Sequence, residues 1–198
     1  MDIMTKLKVG NFVPELNAVD IVGNLIEFKN LDEAYTLLAF LRFSECPWCN
    51  LALHRLAMEK ALLAESKCGV IAFIQSKPED IHKSILEKHA VRPDFTIIAD
   101  PDMIYYKQFG ITVSKIAGIK HHIRHVSSWI ESVSREGFTQ HSIDGNFFLA
   151  PAAIVISTAN KQVITANYEA DFYEHESFSH IYEAIAEHQL YGSHIIDE

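Results

Sequence analysis

Residues 40–60 read FLRFSECPWCNLALHRLAMEK, and how this stretch folds decides the architecture of the chain. It overlaps the run YTLLAFLR at 35–42, which is almost continuously apolar, as a central strand buried on both faces must be. Pro47 then suits the first position of a helix, because its φ is already helical and its missing N–H is not needed there. That sets Cys46 at the N-cap and Cys49 in the first turn. Both sulfurs would lie near unpaired backbone N–H groups at the positive end of the helix, which favours the thiolate. A depressed thiol pKa raises the fraction of reactive anion, and the CxxC spacing permits a short internal disulfide after an attack.

Working downstream, the helix is expected to reach about residue 66, with Leu53, Leu56, Ala57, Ala61 and Ala64 on one face and Leu51, Met58 and Leu62 on a second. CGVIAFIQ at 68–75 reads as another buried strand, and a helix is expected from Pro78, with Glu79 and Asp80 in its first turn. Residues 95–99 supply a short strand, followed by a turn or short helix from Asp100-Pro101 to about Gly110. Upstream, VGNFVPELNAVDIVGNLIEF has two apolar stretches around Gly23-Asn24, the pattern of an N-terminal hairpin. Near the end, PAAIVIS and VITANY flank a turn-prone Thr158-Ala159-Asn160-Lys161 and read as an antiparallel pair. A closing helix follows, with Phe178, Ile181, Tyr182 and Ile185 facing inward and Glu176 and Glu183 toward solvent. Residues 111–146 are less regular, with a helical candidate near 125–134, and read as an insertion or lid before the late hairpin. The order specifies an α/β fold: a mixed sheet covered by helices on both faces.

With 198 residues, about 70% of the accessible surface would be hidden on folding, enough for one domain spanning 1–198. Seventeen Lys and Arg against 26 Asp and Glu give a net charge of -9, which disfavours nucleic acid as a partner. No window approaches 18 continuous apolar residues, so a membrane span is not expected. The opening MDIMTKLKVG has no apolar core of signal-peptide length, so the mature chain is expected to begin at Met1 and to work in the cytoplasm. In a reducing compartment a CxxC is a reactive pair or a metal site rather than a permanent staple.

A zinc site is one competing reading of the pair. Zinc normally takes four ligands, and no second CxxC exists, although Cys68 or one of eleven histidines could contribute. Chance cysteines in a structural turn of an interaction protein are another. Cys68, heading an apolar strand, reads as a small buried side chain, with a resolving or regulatory thiol as the alternative. His121, His122 and His125 in IKHHIRH have helical spacing that could hold a metal, but no carboxylate motif accompanies them. Trp48 could form an apolar rim that recognises a partner, or simply pack. Arg42 could stabilise a thiolate, or face water as a strand-end charge. Glu45 is treated as surface in preference to a proton relay.

These residues resemble the thioredoxin-fold superfamily, in particular the AhpC/TSA (peroxiredoxin-like) redoxin family and its CxxC-containing branch. The resemblance runs from VGNFVPELNAVDIVGNLIEF through the central segment to PAAIVISTANKQVITANY. It implies that Cys46-Pro47-Trp48-Cys49 is a dithiol motif, with Cys46 attacking and Cys49 resolving. It also implies that Pro151 is the cis-proline beside the active thiols, in a strained turn that presents backbone to a substrate chain. One departure stands out. Peroxiredoxins resemble PxxxTxxC, and counting back from Cys49 puts Cys46 at the threonine position and Arg42 at the proline position. A peroxidase on that plan would attack with Cys49, with Cys46 as resolving thiol and Arg42 as an electrostatic partner.

The resulting expectation is a thiol-disulfide oxidoreductase that reduces disulfides or peroxides, re-reduced by a thioredoxin- or glutathione-like reductant and needing no organic cofactor. The alternatives are a thiol peroxidase with Cys49 peroxidatic, and a non-catalytic redoxin-like binding protein. The acidic surface is compatible with a homodimer formed through local apolar patches.

Overall fold

A computed structural model of the chain describes residues 5–89, 92–113, 130, 132–134, 137–138, 142–170, 172 and 176–192. Strand β3 (Tyr35–Leu41) is buried along its whole length and lies at the centre of a five-stranded sheet. Its parallel neighbour is β4 (Cys68–Ile74), which pairs in turn with β5 (Thr96–Ala99); its antiparallel neighbour is β6 (Ala152–Ser157), which pairs with β7 (Gln162–Asn167). The order β5-β4-β3-β6-β7 is the mixed sheet expected, and β1 (Asn17–Val19) and β2 (Leu25–Glu27) form the antiparallel N-terminal hairpin.

The continuous apolar character of β3 has a simple cause: both of its faces are covered. Tyr35, Leu37, Ala39 and Leu41 point toward α1 (Pro47–Met58), α2 (Lys60–Glu65) and Phe178, Ile181 and Ile185 of the closing helix, while Leu38 and Phe40 meet the N-terminal segment and α4 (Ile104–Gln108). The closing helix, here α5, spans Glu176–Tyr191 and buries the apolar stripe read from its sequence, with Glu183 in solvent. α3 (Pro78–Ile81) begins at its proline as expected and widens into a π-helical turn over His82–Leu86.

The N-terminal stretch closes both sheet edges, which would otherwise offer unpaired backbone to other chains. Gly10 and Val13 donate to the carbonyls of Val163 and Lys161 beside β7, and Ile21 donates to Ile97 on β5. At the other end of the strands, the Tyr106 hydroxyl bridges the buried carbonyls of Leu41 and Phe73. It ties β3 to β4 at the point where the chain leaves toward Cys46. α4, which carries Tyr106, is started by the Asp100 carboxylate, which accepts the N–H groups of Ile104 and Tyr105 at 2.7 Å each.

The helix after Cys46 is not continuous to residue 66. α1 stops where the Glu59 N–H bonds back to Arg55, and α2 restarts at Lys60. Past that break Leu63 is buried, whereas Ala61 and Ala64 face solvent, because one row of side chains is enough to cover this corner of the sheet. No helix among the described residues is long and apolar enough to cross a membrane.

Candidate active site

The end of β3, the loop 43–46 and the first turn of α1 bring Arg42, Cys46, Trp48 and Cys49 together. Cys46 is the N-cap, with extended backbone at φ -73° and ψ 119°, and Pro47 occupies the first helical position. Both sulfurs belong to free thiols and each cysteine is only 1% exposed. The Arg42 N–H donates to Cys49 Sγ at 3.2 Å, and the Cys49 thiol in turn donates to Cys46.

This chain of donors separates the two thiols. Burial alone pushes the Cys46 thiol up, but the Cys49 hydrogen bond, the Arg42 charge and the Cys49 and Trp48 amides facing the sulfur together outweigh it and lower its pKa to about 6. Cys49 moves the opposite way, well above the ordinary thiol range. Burial, the proton it shares with Cys46 and the negative charge of that neighbour all hold it protonated. Near neutral pH the two opposite shifts favour a thiolate on Cys46 beside a thiol on Cys49.

Arg42 does not face water. Its side chain is 0% exposed, and its guanidinium lies 4.9 Å from the centroid of the Trp48 indole. Trp48 is buried beneath it and forms no exposed rim. Glu45 is half-buried, accepting a hydrogen bond from Ser84 Oγ at 2.8 Å and pairing with Lys88 at 3.5 Å. Those contacts anchor the loop before Cys46 to the π-helical turn.

Pro151 reaches the site in a different form from the one expected. Among the described residues every peptide bond is trans, including Ala150-Pro151. The chain enters β6 extended, Ala152 opposite Phe40, and the Pro151 carbonyl accepts the Ala170 N–H at 2.9 Å. The cis turn expected to present backbone to a substrate is absent, and the Pro151 carbonyl is engaged within the fold.

Cys68 starts β4 opposite Tyr35, at the far end of the sheet from Cys46. Six strand steps put about 20 Å between it and the pair. Burial, with a small contribution from Glu33, raises its thiol to about 12, so it is a buried neutral side chain. Among the described residues no three His, Cys, Asp or Glu side chains converge as a metal-binding group. His121, His122 and His125 lie outside the described residues, as does most of the segment 111–146.

The described parts of that segment do touch the site. Ser132 Oγ donates to the Pro47 carbonyl at 2.8 Å, Asp144 accepts from Ser44 Oγ at 2.9 Å, and the Asn146 N–H donates to Gln75 at 2.7 Å. Gly145 lies against Phe43 and Gln75 so closely that a Cβ there would come within 2.7 Å of both. Asn50, one turn along α1, and His89 complete the surroundings. Sequence reasoning passed over these polar residues. Only Asn50 carried a signal: a lone amide four residues after Cys46 on an otherwise apolar stretch of helix.

The fold is shared with several redox proteins. Peroxidoxin BcpB from Mycobacterium tuberculosis superposes with a TM-score of 0.65 at 13% identity, covering 91% of this chain and 97% of that one. A thiol peroxidase from Chromobacterium violaceum gives 0.61 at 16% identity, with 95% and 91% covered. The thioredoxin domain of a thiol-disulfide oxidoreductase from Bacteroides vulgatus gives 0.50 at 16% identity, with 89% and 99% covered. No curated protein matches the sequence. At these identities the likeness concerns the fold, but the sequence profile of the AhpC/TSA family matches residues 9–167, which run from just before the bridge of Phe12 to β7 through to the last residue of that strand, and the chain belongs to that family of thioredoxin-fold redox proteins.

Proposed function

We propose that the chain is a thiol peroxidase that reduces small hydroperoxides with the Cys46/Cys49 pair. The observation that carries this reading is enclosure: both cysteines are 1% exposed, beside an arginine that is itself sealed from solvent. Such a site admits a molecule of a few atoms, whereas the disulfide of a folded protein would have to displace the loop 43–46 and the segment around Gly145. A buried cation also suits a reaction in which negative charge moves from sulfur to a departing oxygen.

The Cys46 thiolate attacks one peroxide oxygen, the O–O bond breaks, and the products are a Cys46 sulfenic acid and an alkoxide or hydroxide that takes up a proton. Cys49 then attacks the sulfenic sulfur, releasing water and closing a Cys46–Cys49 disulfide. The disulfide removes both the Cys49 thiol proton and the thiolate that the Arg42 charge and the helix amides favour. The oxidised site is therefore held less firmly, and an external thioredoxin-like dithiol, or two equivalents of a glutathione-like thiol, reduces it there.

Two readings compete, a dithiol-disulfide oxidoreductase and a peroxidase that attacks with Cys49. Peroxide consumption with a thioredoxin reductant, set beside insulin disulfide reduction, separates the first. Peroxide turnover with negligible insulin reduction is expected, and the reverse ranking sinks the proposal. Trapping with a sulfenic-acid reagent separates the second. Cys49→Ser should accumulate one trapped sulfenic acid on Cys46, whereas a Cys46→Ser protein that keeps the wild-type rate of peroxide reaction would assign the attack to Cys49.

A further inference from the structure

Cys46 is reached by a polar relay that starts 43 residues downstream. The side chain of Asn50 is buried, and its amide nitrogen donates to two backbone carbonyls at once, Ser44 O at 2.7 Å and Cys46 O at 3.0 Å. Both carbonyls belong to the loop that leads into α1. With its nitrogen so engaged, the amide has only one way to face: Oδ1 points away from the loop and meets His89 Nε2 at 2.6 Å. An amide oxygen can only accept, so Nε2 carries the proton and donates. His89 Nδ1 has no hydrogen-bond partner among the described residues. The ring is buried and stacked on Phe138, centroids 4.6 Å apart.

We infer that Asn50 and His89 are positioning residues for the Cys46 thiolate, His89 fixing the Asn50 amide and Asn50 fixing the loop that presents the sulfur. The extended N-cap backbone of Cys46 is what turns Sγ toward the Trp48 and Cys49 amides. A helix N-cap held only by its backbone frays. Here the Asn50 side chain ties Ser44 and Cys46 to the first turn, so the sulfur keeps its place against those amides in the thiol and thiolate states alike. Neither residue touches the reacting atoms. The inference rests on Cys46 as the attacking thiol, and its scope is the ionisation of that thiol whatever the substrate.

The test is a titration of the Cys46 thiolate by its ultraviolet absorbance, in the Cys49→Ser background and without substrate, alongside thermal unfolding. Asn50→Ala should raise the titration midpoint by about one unit, leaving about tenfold less thiolate at about pH 5. His89→Phe keeps the ring stack on Phe138 and loses only the donor, and should move the midpoint in the same direction. His89→Gln retains an N–H donor of similar reach and should restore it. If Asn50→Ala does not fold, the His89→Phe and His89→Gln pair decides. An unchanged midpoint in His89→Phe, or lower thermal stability in both His89 variants with no recovery in Gln, would reduce the relay to packing and overturn the inference. A midpoint that shifts as expected in a protein that fails to consume peroxide would support the relay and reject the peroxidase reading instead.

Discussion

The Arg42 guanidinium lies over the Trp48 indole at 4.9 Å, with both side chains withdrawn from solvent. A cation–π contact in a desolvated setting contributes about 2 kcal/mol, which offsets part of the cost of burying the charge. Ionisation of Cys46 adds a favourable charge interaction to it. Arg42 and the Cys46 thiolate therefore support each other, and ionisation and folding are linked through them.

Removing the charge tests that link. Arg42→Met should raise the Cys46 midpoint from about 6 by about 1 to 2 units, the usual effect of losing an opposite charge at close range. Peroxide reaction measured near pH 6 should slow by about tenfold, because less of the thiol is ionised there. The thiolate contribution has a defined direction: a thiol with a folded pKa below its unfolded one adds stability as pH rises through about 6 toward 9, and loses it as pH falls. In Arg42→Met that rise should shrink. A midpoint that stays near 6 would show that the helix amides and Cys49 carry the shift alone.

Tyr106→Phe probes the clip between β3 and β4. The hydroxyl shares its one proton between two buried carbonyls, Leu41 and Phe73, so its loss should cost about 1 to 3 kcal/mol in chemical denaturation. The ring also packs against Phe40, at 5.3 Å between centroids, and that contact survives the change. A loss well under 1 kcal/mol would mean that water replaces the hydroxyl.

What could be read from the sequence was local. The buried strand, the proline at the first helical position and the two sulfurs beside it follow from periodicity and from one residue's covalent geometry, and the structure places them so. The surroundings were not local. Arg42 reads either as a thiolate partner or as a strand-end charge in water, and its burial against Trp48 is not marked by its neighbours in the sequence. His89 meets Asn50 across 39 residues, and nothing in either neighbourhood marks the pairing. Pro151 illustrates the converse: its place at the head of β6 was legible, but the peptide bond before it is trans, and nothing in the local residues marks that.

Cys68 should be a spectator. Cys68→Ala should leave peroxide turnover unchanged, keep two thiols consumed per chain on oxidation, and cost about 1 kcal/mol for the sulfur removed from the core. Loss of turnover in this variant would bring the third thiol into the reaction and contradict the separation along β4.

Gly145→Ala addresses the enclosure directly. The added methyl meets the Phe43 side chain and the Gln75 backbone carbonyl at 2.7 Å, and a carbonyl in contact with the strand end has little freedom to give way. The segment must shift, at a cost of about 1 to 3 kcal/mol. Alkylation of Cys46 by a bulky maleimide should then accelerate relative to wild type, while the pH midpoint of the thiolate stays put. Unchanged labelling would mean that large reagents enter by another side, and that contact at Gly145 does not limit the substrate.

The acid limit of stability should belong largely to His89. Burial and the nearby His54 lower its pKa to about 4, against an ordinary 6.5. As pH falls through 6.5 the unfolded chain takes up a proton that the native one refuses, so unfolding becomes easier by up to about 1.4 kcal/mol per pH unit until pH nears 4. The full swing is about 3 kcal/mol. Below that range the native ring is protonated too, and Nδ1–H is left facing a buried surface where no described residue accepts it. His89→Phe has no proton to refuse, so the stability gap between wild type and variant should narrow steadily from about pH 6.5 to about pH 4.5, before most carboxylates titrate. Urea denaturation of both proteins across that range measures it. Parallel curves would show that His89 titrates alike in both states, which a buried ring donating to Asn50 cannot do.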